Sequence, residues 1–165
     1  MPIRHRITPC LWYASEAEEA ARFYVSLFPN SRITRLTHYG EAGKEVHGQA
    51  AGTVLTVAFD LDGQPFTALN GGPLFKFTEA LSLQIDCETQ DEVVHYWNAL
   101  SAGGDPAAQQ CGWLKDRYGL SWQVIPRVLI DMIADPDRKR ADRAMQAMLS
   151  MKKLDIAGLE RAYRE

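Results

Sequence analysis

Few side chains in this sequence combine a reactive type with a spacing that could support catalysis. The three cysteines, Cys10, Cys87 and Cys111, lie far apart and form no Cys-x-x-Cys pair, so neither a disulfide framework nor a zinc knuckle is predicted. Cys10 or Cys111 could act as a nucleophile if a neighbouring base or cation lowered the pKa of its thiol. Lys115 follows Cys111 closely, but no pattern brings the two side chains together, and we favour buried, inert thiols.

The histidines and the remaining charged residues provide one candidate general base. His47 lies in a glycine-rich segment, residues 40–52, that is predicted to be a mobile loop, and it could act as a base on a closing lid. His95 adjoins the apolar face of a predicted helix and is interpreted as structural. Lys115 and Asp116, beside a predicted turn, are expected to be solvated or ion-paired. These patterns assign no catalytic residue.

The composition is that of a globular protein and excludes several classes of function. The chain has 165 residues, with 46% apolar and 24% charged residues and a net charge of −3. No basic excess favours nucleic-acid binding, and no apolar run reaches the roughly 18–20 residues of a membrane span. The first nine residues lack the apolar core of a signal peptide. We therefore expect a cytoplasmic protein with neither nucleic acid nor membrane as a partner.

Two similar hairpins predict that the elements around these residues are duplicated. Cys111–Pro126 is typical of a β-hairpin, because aromatic and β-branched residues flank a turn at Gly119. A related pattern surrounds Gly63, 56 residues earlier. Phe66 and Trp122 repeat at the same offset. The hairpins therefore indicate two related modules.

Two capping boxes strengthen the repeat. Ser15–Glu18 and Thr89–Glu92 each begin an amphipathic helix and lie 74 residues apart. The offsets of 74 and 56 differ by 18, and the simplest place for the extra residues of the first module is segment 40–52. Each half is predicted to have the order β-α-β-β-β. The predicted strands are 7–13, 31–39, 53–61 and 66–70 in the first half, then 81–87, 107–111 and the two hairpin arms in the second.

The predicted modules span residues 1–74 and 75–126, form one structural domain and are followed by a helical extension, 127–165. In the extension, Asp135-Pro136 is expected to provide an N-cap and a first-turn proline, and Asp155 is expected to cap the last helix. One module alone would expose an apolar sheet face and an apolar helix face. Pairing two modules would bury both kinds of surface and leave a concavity for a small ligand.

Several segments resemble the vicinal oxygen chelate superfamily, which includes glyoxalase I, ring-cleaving dioxygenases and antibiotic-resistance proteins, and within it the PhnB-like branch labelled 3-demethylubiquinone-9 3-methyltransferase. The matching segments are Thr8-Pro-Cys-Leu-Trp12, Glu18-Glu-Ala-Ala21, Phe23-Tyr-Val-Ser-Leu-Phe-Pro-Asn-Ser31, Asp62-Gly-Gln-Pro-Phe-Thr-Ala-Leu-Asn-Gly-Gly72, Cys111-Gly-Trp-Leu-Lys-Asp116 and Gly119-Leu-Ser-Trp-Gln-Val124. The resemblance extends over about residues 5–163. It implies an α+β fold in which two βαβββ modules form a curved mixed sheet around a cavity, with C-terminal helices, and it implies a homodimer.

The resemblance also locates the positions that bind metal in metal-dependent members, on the first and last strands of each module. With the repeat offsets of 74 and 56, these positions correspond to Thr8, Thr67, Ser82 and Gln123. Hydroxyl and amide oxygens are neutral and bind divalent transition metals weakly compared with His, carboxylate or thiolate. We therefore expect no catalytic metal. A metal-dependent lyase, isomerase or dioxygenase remains an alternative.

Five further residues are expected on the cavity side: Cys10, Trp12, Leu69, Gln84 and Trp113. Such a wall is aromatic and apolar with a few neutral hydrogen-bonding groups, so it suits a flat or amphipathic organic molecule rather than a phosphate. The alternative for these side chains is that they simply pack and satisfy one another. The expected function is a small-molecule-binding protein or a metal-independent enzyme.

Two other functions remain as hypotheses. A 3-demethylubiquinone-type methyltransferase would follow from the family label, and S-adenosylmethionine would then be the cofactor. However, the sequence has no G-x-G turn between a strand and a helix, and neither Gly71-Gly72 nor Gly103-Gly104 occupies such a position, so no cofactor is predicted from the residues. A structural protein that dimerises through its helical tail is the other possibility.

Overall fold

The computed structural model describes residues 5–165, and the chain divides into two compact units, one ending at Lys76 and one spanning Phe77–Glu165. Each unit contains a mixed sheet and at least one packed helix, which confirms the predicted α+β class. Within these residues, no helix has both the length and the apolar character needed to cross a lipid bilayer. The two units are described separately below.

The first unit is a four-stranded sheet with one long helix packed on one of its faces. Its elements are β1 (Cys10–Tyr13), α1 (Ala17–Leu27), β2 (Arg32–His38), α2 (Lys44–His47), β3 (Val54–Leu61) and β4 (Gln64–Asn70). The strand order is β1-β4-β3-β2, with β1 parallel to β4 and the other pairs antiparallel. Alternate residues of β3 and β4, such as Val57, Phe59 and Ala68, are buried on the side of α1. The prediction of a strand from residue 7 is wrong in extent, because β1 begins at Cys10.

The second unit combines a three-stranded sheet with four helices. Its elements are β5 (Ser82–Cys87), α3 (Gln90–Ser101), β6 (Trp113–Lys115), β7 (Ser121–Pro126), α4 (Arg127–Ile133), α5 (Arg138–Leu149) and α6 (Ile156–Arg164). The strand order is β5-β7-β6, with β5 parallel to β7 and β6 antiparallel to it. Trp122 and Val124 are buried on β7, which α3 contacts.

The pairing of strands confirms the duplication. In the first unit, Cys10 is the parallel partner of Thr67. In the second, Gln84 is the parallel partner of Gln123, and these residues follow Cys10 and Thr67 by 74 and 56 positions. Because side chains alternate between sheet faces, equal registers place equivalent residues on equivalent faces of the two sheets.

The second unit lacks the third strand that was predicted at 107–111. Pro106–Ala108 instead forms a 3₁₀ turn, capped by Asp105, whose carboxylate accepts a hydrogen bond from the Ala107 N–H. Pro106 favours this turn because its φ is fixed and it has no N–H for a sheet. In the first unit the extra residues supply β2 as well as the 40–52 segment. The prediction of a loop throughout 40–52 is wrong, because this segment contains the short helix α2, Lys44–His47.

The predicted capping box at Ser15 does not form. The N-cap of α1 is Glu16, which makes no side-chain cap, and its carboxylate accepts a hydrogen bond from the Ser15 N–H instead. The Ala17 N–H, at the start of α1, donates to Oδ1 of Asn70 at 2.8 Å. The cap of α1 thus comes from the end of β4.

Side chains cap three other helices. Thr89 caps α3 and Asp155 caps α6, as predicted. The N-cap of α5 is Asp137, so the prediction of Asp135 is wrong. Asp135 instead accepts hydrogen bonds from the Asp137 N–H and the Tyr163 hydroxyl, and the latter contact joins the start of α5 to α6.

The three C-terminal helices pack within the second unit. Their core begins on β7 and consists of Ile125, Leu129, Met132, Ala144, Leu154 and Leu159. The backbone between α5 and α6 also contacts the segment before β6: the Cys111 N–H donates to the Met151 carbonyl and the Gly112 N–H to that of Lys152, at 2.9 and 2.8 Å. The buried face of the tail is therefore occupied by its own unit.

Candidate functional site

The face of the first sheet opposite α1, which we call the distal face, carries four of the residues singled out from the sequence. Cys10 pairs with Thr67 and Trp12 with Leu69 on the parallel strands β1 and β4. Cys10 is exposed, and the other three are partly buried. Thr8 lies outside the strands and is exposed. The distal face therefore brings one thiol, one hydroxyl, one indole and one aliphatic side chain into a contiguous set.

The indole of Trp12 is held in a fixed orientation. Its Nε1–H donates to the Gly72 carbonyl at 2.9 Å, and its ring lies edge-on to Phe75 with ring centroids 4.9 Å apart. A Cβ on Gly71 would lie 2.1 Å from the indole, so only glycine lets the chain pass there. The glycine pair after β4 thus has a packing role.

The sequence did not reveal a pair of hydroxyls on the same face. Thr56 is the β3 partner of both Leu69 and Thr37, so the row that starts at Trp12 runs across all four strands. The Oγ1 atoms of Thr37 and Thr56 lie 2.5 Å apart and are hydrogen-bonded. In the sequence this pair appears only as one threonine in each of two predicted strands. Threonine is common in strands, so its presence there does not indicate a binding site.

The second sheet places the other four residues on its own face opposite α3. Gln123 pairs with Gln84 on one side and with Trp113 on the other. Its Nε2–H donates to Oγ of Ser82 at 2.9 Å. Gln84 is exposed and its Nε2–H donates to Asp86 at 2.8 Å. This face therefore combines neutral amide and hydroxyl groups and one indole with the charged side chains of Asp86 and Lys115.

These residues do not fit a divalent transition metal. Within residues 5–165 no group of three or more His, Cys, Asp or Glu side chains is close enough to bind an ion. Gln123 uses its amide as a donor to Ser82, and Thr67 offers only a neutral hydroxyl. Cys10 is exposed as a residue, but partial desolvation of its sulfur raises the pKa of the thiol, so Cys10 is less readily available as a thiolate ligand.

The environments of Cys10, Lys115 and His47 do not favour a role as nucleophile or general base. Cys10 is exposed rather than buried, but its raised pKa disfavours the thiolate at neutral pH. Lys115 forms an ion pair with Glu79 at 2.5 Å, which confirms the expected pairing. His47 Nδ1 accepts a hydrogen bond from the Gln49 N–H at 2.9 Å, so Nε2, 3.0 Å from the Ala42 carbonyl, carries the hydrogen and donates it. The one basic nitrogen of the ring is therefore already engaged.

Asp116 is a buried carboxylate that stabilises a turn. The expectation of a solvated side chain is wrong, because only 2% of the residue is exposed. Its carboxylate accepts hydrogen bonds from the backbone N–H groups of Tyr118 and Leu120 and from Nε1–H of Trp122. Asp116 therefore orders the turn between β6 and β7, which places Gln123.

A groove of about 460 Å³ lies elsewhere, along α5 and α6. Charged and polar side chains line much of it, and Arg143 among them already donates to the carbonyls of Ala162 and Tyr163. These bonds satisfy backbone acceptors at the end of α6. The groove is best explained as a consequence of helix packing, and the distal face remains the candidate site.

Comparison with known proteins places the chain in a family. The family described as 3-demethylubiquinone-9 3-methyltransferase matches residues 5–125. This chain belongs to that family. The match ends at Ile125, so the helical tail lies beyond it, although the resemblance seen in the sequence extended to about residue 163. No curated protein matches the chain.

A solved structure confirms the resemblance to the PhnB-like branch. The PhnB protein from Bacillus cereus is 36% identical, with a TM-score of 0.61, over 72% of this chain and 97% of that one. Protein PA1353 from Pseudomonas aeruginosa is 16% identical, with a TM-score of 0.54, over 72% and 95% of the two chains. The fosfomycin resistance protein FosX from Listeria monocytogenes is 15% identical, with a TM-score of 0.43, over 73% and 88%. Of these three, the PhnB protein supports the family resemblance, and PA1353 shows the fold alone.

Proposed function

We propose that the distal face of the first sheet binds a flat or amphipathic organic molecule, and that the protein acts on it as a binding protein or an enzyme without a metal. The observation that carries this proposal is the row of Trp12, Leu69, Thr56 and Thr37. It joins an immobilised indole to an aliphatic side chain and two hydroxyls. A fixed aromatic surface costs little side-chain entropy when a ligand binds.

The chemistry of the row defines the kind of ligand. Trp12 and Leu69 offer apolar surface to a ring or a short alkyl chain. The Thr67 hydroxyl can donate to or accept from a carbonyl or hydroxyl group of the ligand. The Thr37 and Thr56 hydroxyls are bonded to each other, so this pair has one O–H left to donate. Each such bond would contribute about 0.5–1.5 kcal/mol net. None of these groups carries a charge that would bind a phosphate.

Binding can be tested with N-phenyl-1-naphthylamine, an uncharged aromatic dye whose fluorescence increases in apolar surroundings. We expect the native protein to bind it and Leu69→Asn to bind it about tenfold more weakly, because part of the apolar contact is lost. Leu149→Asn is the matched control, since Leu149 lies in α5 and is 54% exposed. Far-ultraviolet circular dichroism would verify that both variants are folded. Failure of the native protein to bind, or equal binding by both variants, would refute the proposal.

Metal removal gives a second test of the same proposal. Dialysis against EDTA is expected to leave dye binding within a factor of two, because none of the candidate ligands is a good donor for a divalent transition metal. Elemental analysis of the purified protein would accompany the titration. A stoichiometric divalent ion whose removal abolishes binding would favour the metal-dependent alternative.

Methyl transfer to a quinone-like aromatic is a second candidate, and membership of the family matched at residues 5–125 favours it. It would require S-adenosylmethionine, which is usually bound at a glycine-rich turn from a strand to a helix. Neither Gly71-Gly72 nor Gly103-Gly104 joins a strand directly to a helix, since an irregular segment follows each pair. Calorimetric titration with the methyl donor decides between the candidates: heat of binding at millimolar donor supports methyl transfer, and its absence counts against it.

A further inference from the structure

The edge strand β2 adds a cation to the distal face. Arg35 pairs with Ala58, Ala58 with Thr67, and Thr67 with Cys10, so these residues form a second row beside the row of Trp12. Arg35 is exposed. Within the part of the chain that the structure describes, its guanidinium makes no hydrogen bond or ion pair. The row therefore ends in an uncompensated positive charge.

The neighbouring charges on this face neutralise each other. Arg32 and Asp60 are partners across β2 and β3, and Arg32 Nε lies 3.5 Å from Asp60 Oδ2. Asp60 is therefore already engaged by the other arginine. Arg35 remains the guanidinium with five N–H donors available to a ligand.

A β-bulge determines where Arg35 lies. The register of β2 against β3 shifts between Ile33 and Arg35, so Thr34 is the additional residue. Bulges re-aim side chains and are over-represented next to functional sites. The shift also breaks the alternation of β2, which explains why the sequence pattern did not single out Arg35.

We propose that Arg35 anchors an acidic group of the ligand, so that the occupant of the distal face is a flat organic anion of the carboxylate or sulfonate class. This inference rests on the proposed function. Guanidinium matches the geometry of such oxyanions and binds them through charge-assisted hydrogen bonds. β1 and β2 are three strand spacings apart, roughly 14 Å, so an acidic group on Arg35 and a ring on Trp12 fit one molecule of modest size.

The test compares two dyes that differ in one charged group. 1-Anilinonaphthalene-8-sulfonate is the sulfonated counterpart of uncharged N-phenyl-1-naphthylamine. We expect Arg35→Gln to weaken binding of the sulfonate about tenfold, the loss of a charge-assisted bond, and to change binding of the uncharged dye less than twofold. Arg22→Gln is the matched control: it also removes one positive charge, but from an exposed position on α1, which packs on the other face.

The outcomes distinguish a failure of the proposed function from a failure of the anchor alone. If the native protein binds neither dye, the proposed function and this inference both fail. If both dyes bind but Arg35→Gln weakens neither, weakens both equally, or weakens the sulfonate no more than Arg22→Gln does, the anchor is refuted while the proposed function stands. A selective loss of the sulfonate that Arg35→Lys partly restores supports the anchor.

Discussion

Replacing Asp116 with alanine is expected to lower the free energy of unfolding by about 4 kcal/mol, because it leaves buried donors without an acceptor. Oδ1 accepts from the Tyr118 N–H at 2.8 Å and the Leu120 N–H at 3.1 Å, and Oδ2 accepts from Nε1–H of Trp122 at 2.9 Å. The residue is 2% exposed, so water cannot readily replace the carboxylate. Equilibrium denaturation in urea, monitored by tryptophan fluorescence, would measure the loss.

Two companion variants give this prediction its controls. Asp116→Asn keeps an oxygen for the turn but presents an amide NH₂ to the indole, and should cost about 1–2 kcal/mol. Asp105→Ala removes an exposed carboxylate that bonds only the Ala107 N–H in the 3₁₀ turn, and should cost about 1 kcal/mol or less. The explanation fails if Asp116→Ala is no more destabilising than Asp105→Ala.

Replacing Asn70 with leucine is expected to cost about 3 kcal/mol, since it deprives the start of α1 and the carbonyl of Val54 of their partner. Oδ1 of Asn70 accepts from the Ala17 N–H at 2.8 Å, while Nδ2–H donates to Val54 at 3.2 Å. Asn70 also directly follows Leu69, so the end of β4 both caps α1 and contributes a side chain to the distal face. Thermal and urea denaturation would both report the effect.

Ser15→Ala is the discriminating control for Asn70. The local sequence pattern at Ser15 predicts a cap worth about 1 kcal/mol. In the structure the hydroxyl does not cap α1, so the change should stay within about 0.5 kcal/mol. Comparable losses for Ser15→Ala and Asn70→Leu would show that the helix is capped from its own sequence after all.

The sequence predicted those features of the fold that depend on short-range periodicity. Alternation predicted that Cys10 and Thr67 lie on one side of their strands and that Gln84 and Gln123 do likewise. In the structure each of these pairs consists of neighbours on parallel strands, a register that the sequence did not predict. The cap from Asn70 was not predictable in this way, because its partner Ala17 lies 53 residues earlier. Contacts between distant segments leave no local pattern.

At two places the structure departs from the element that the local sequence pattern predicts. Pro106 and the cap from Asp105 turned a predicted strand at 107–111 into a 3₁₀ turn. The bulge in β2 shifts the register between Ile33 and Arg35, so strict alternation does not predict the sheet face on which Arg35 lies. The expectations that Thr8, Thr67, Ser82 and Gln123 converge on a common centre, and that the protein is a homodimer, stay predictions.

The missing strand of the second unit leaves the short strand β6 at the edge of its sheet. β6 is the outer strand of its sheet, and outer strands offer unpaired backbone groups to other molecules. Here β6 has only three residues, and the N–H groups of Cys111 and Gly112 just before it are bonded to the carbonyls of Met151 and Lys152. The segment between α5 and α6 thus occupies the backbone donors that adjoin this short outer strand. Deleting the tail should expose those donors, and the scattering of light by the purified protein should then rise as it aggregates.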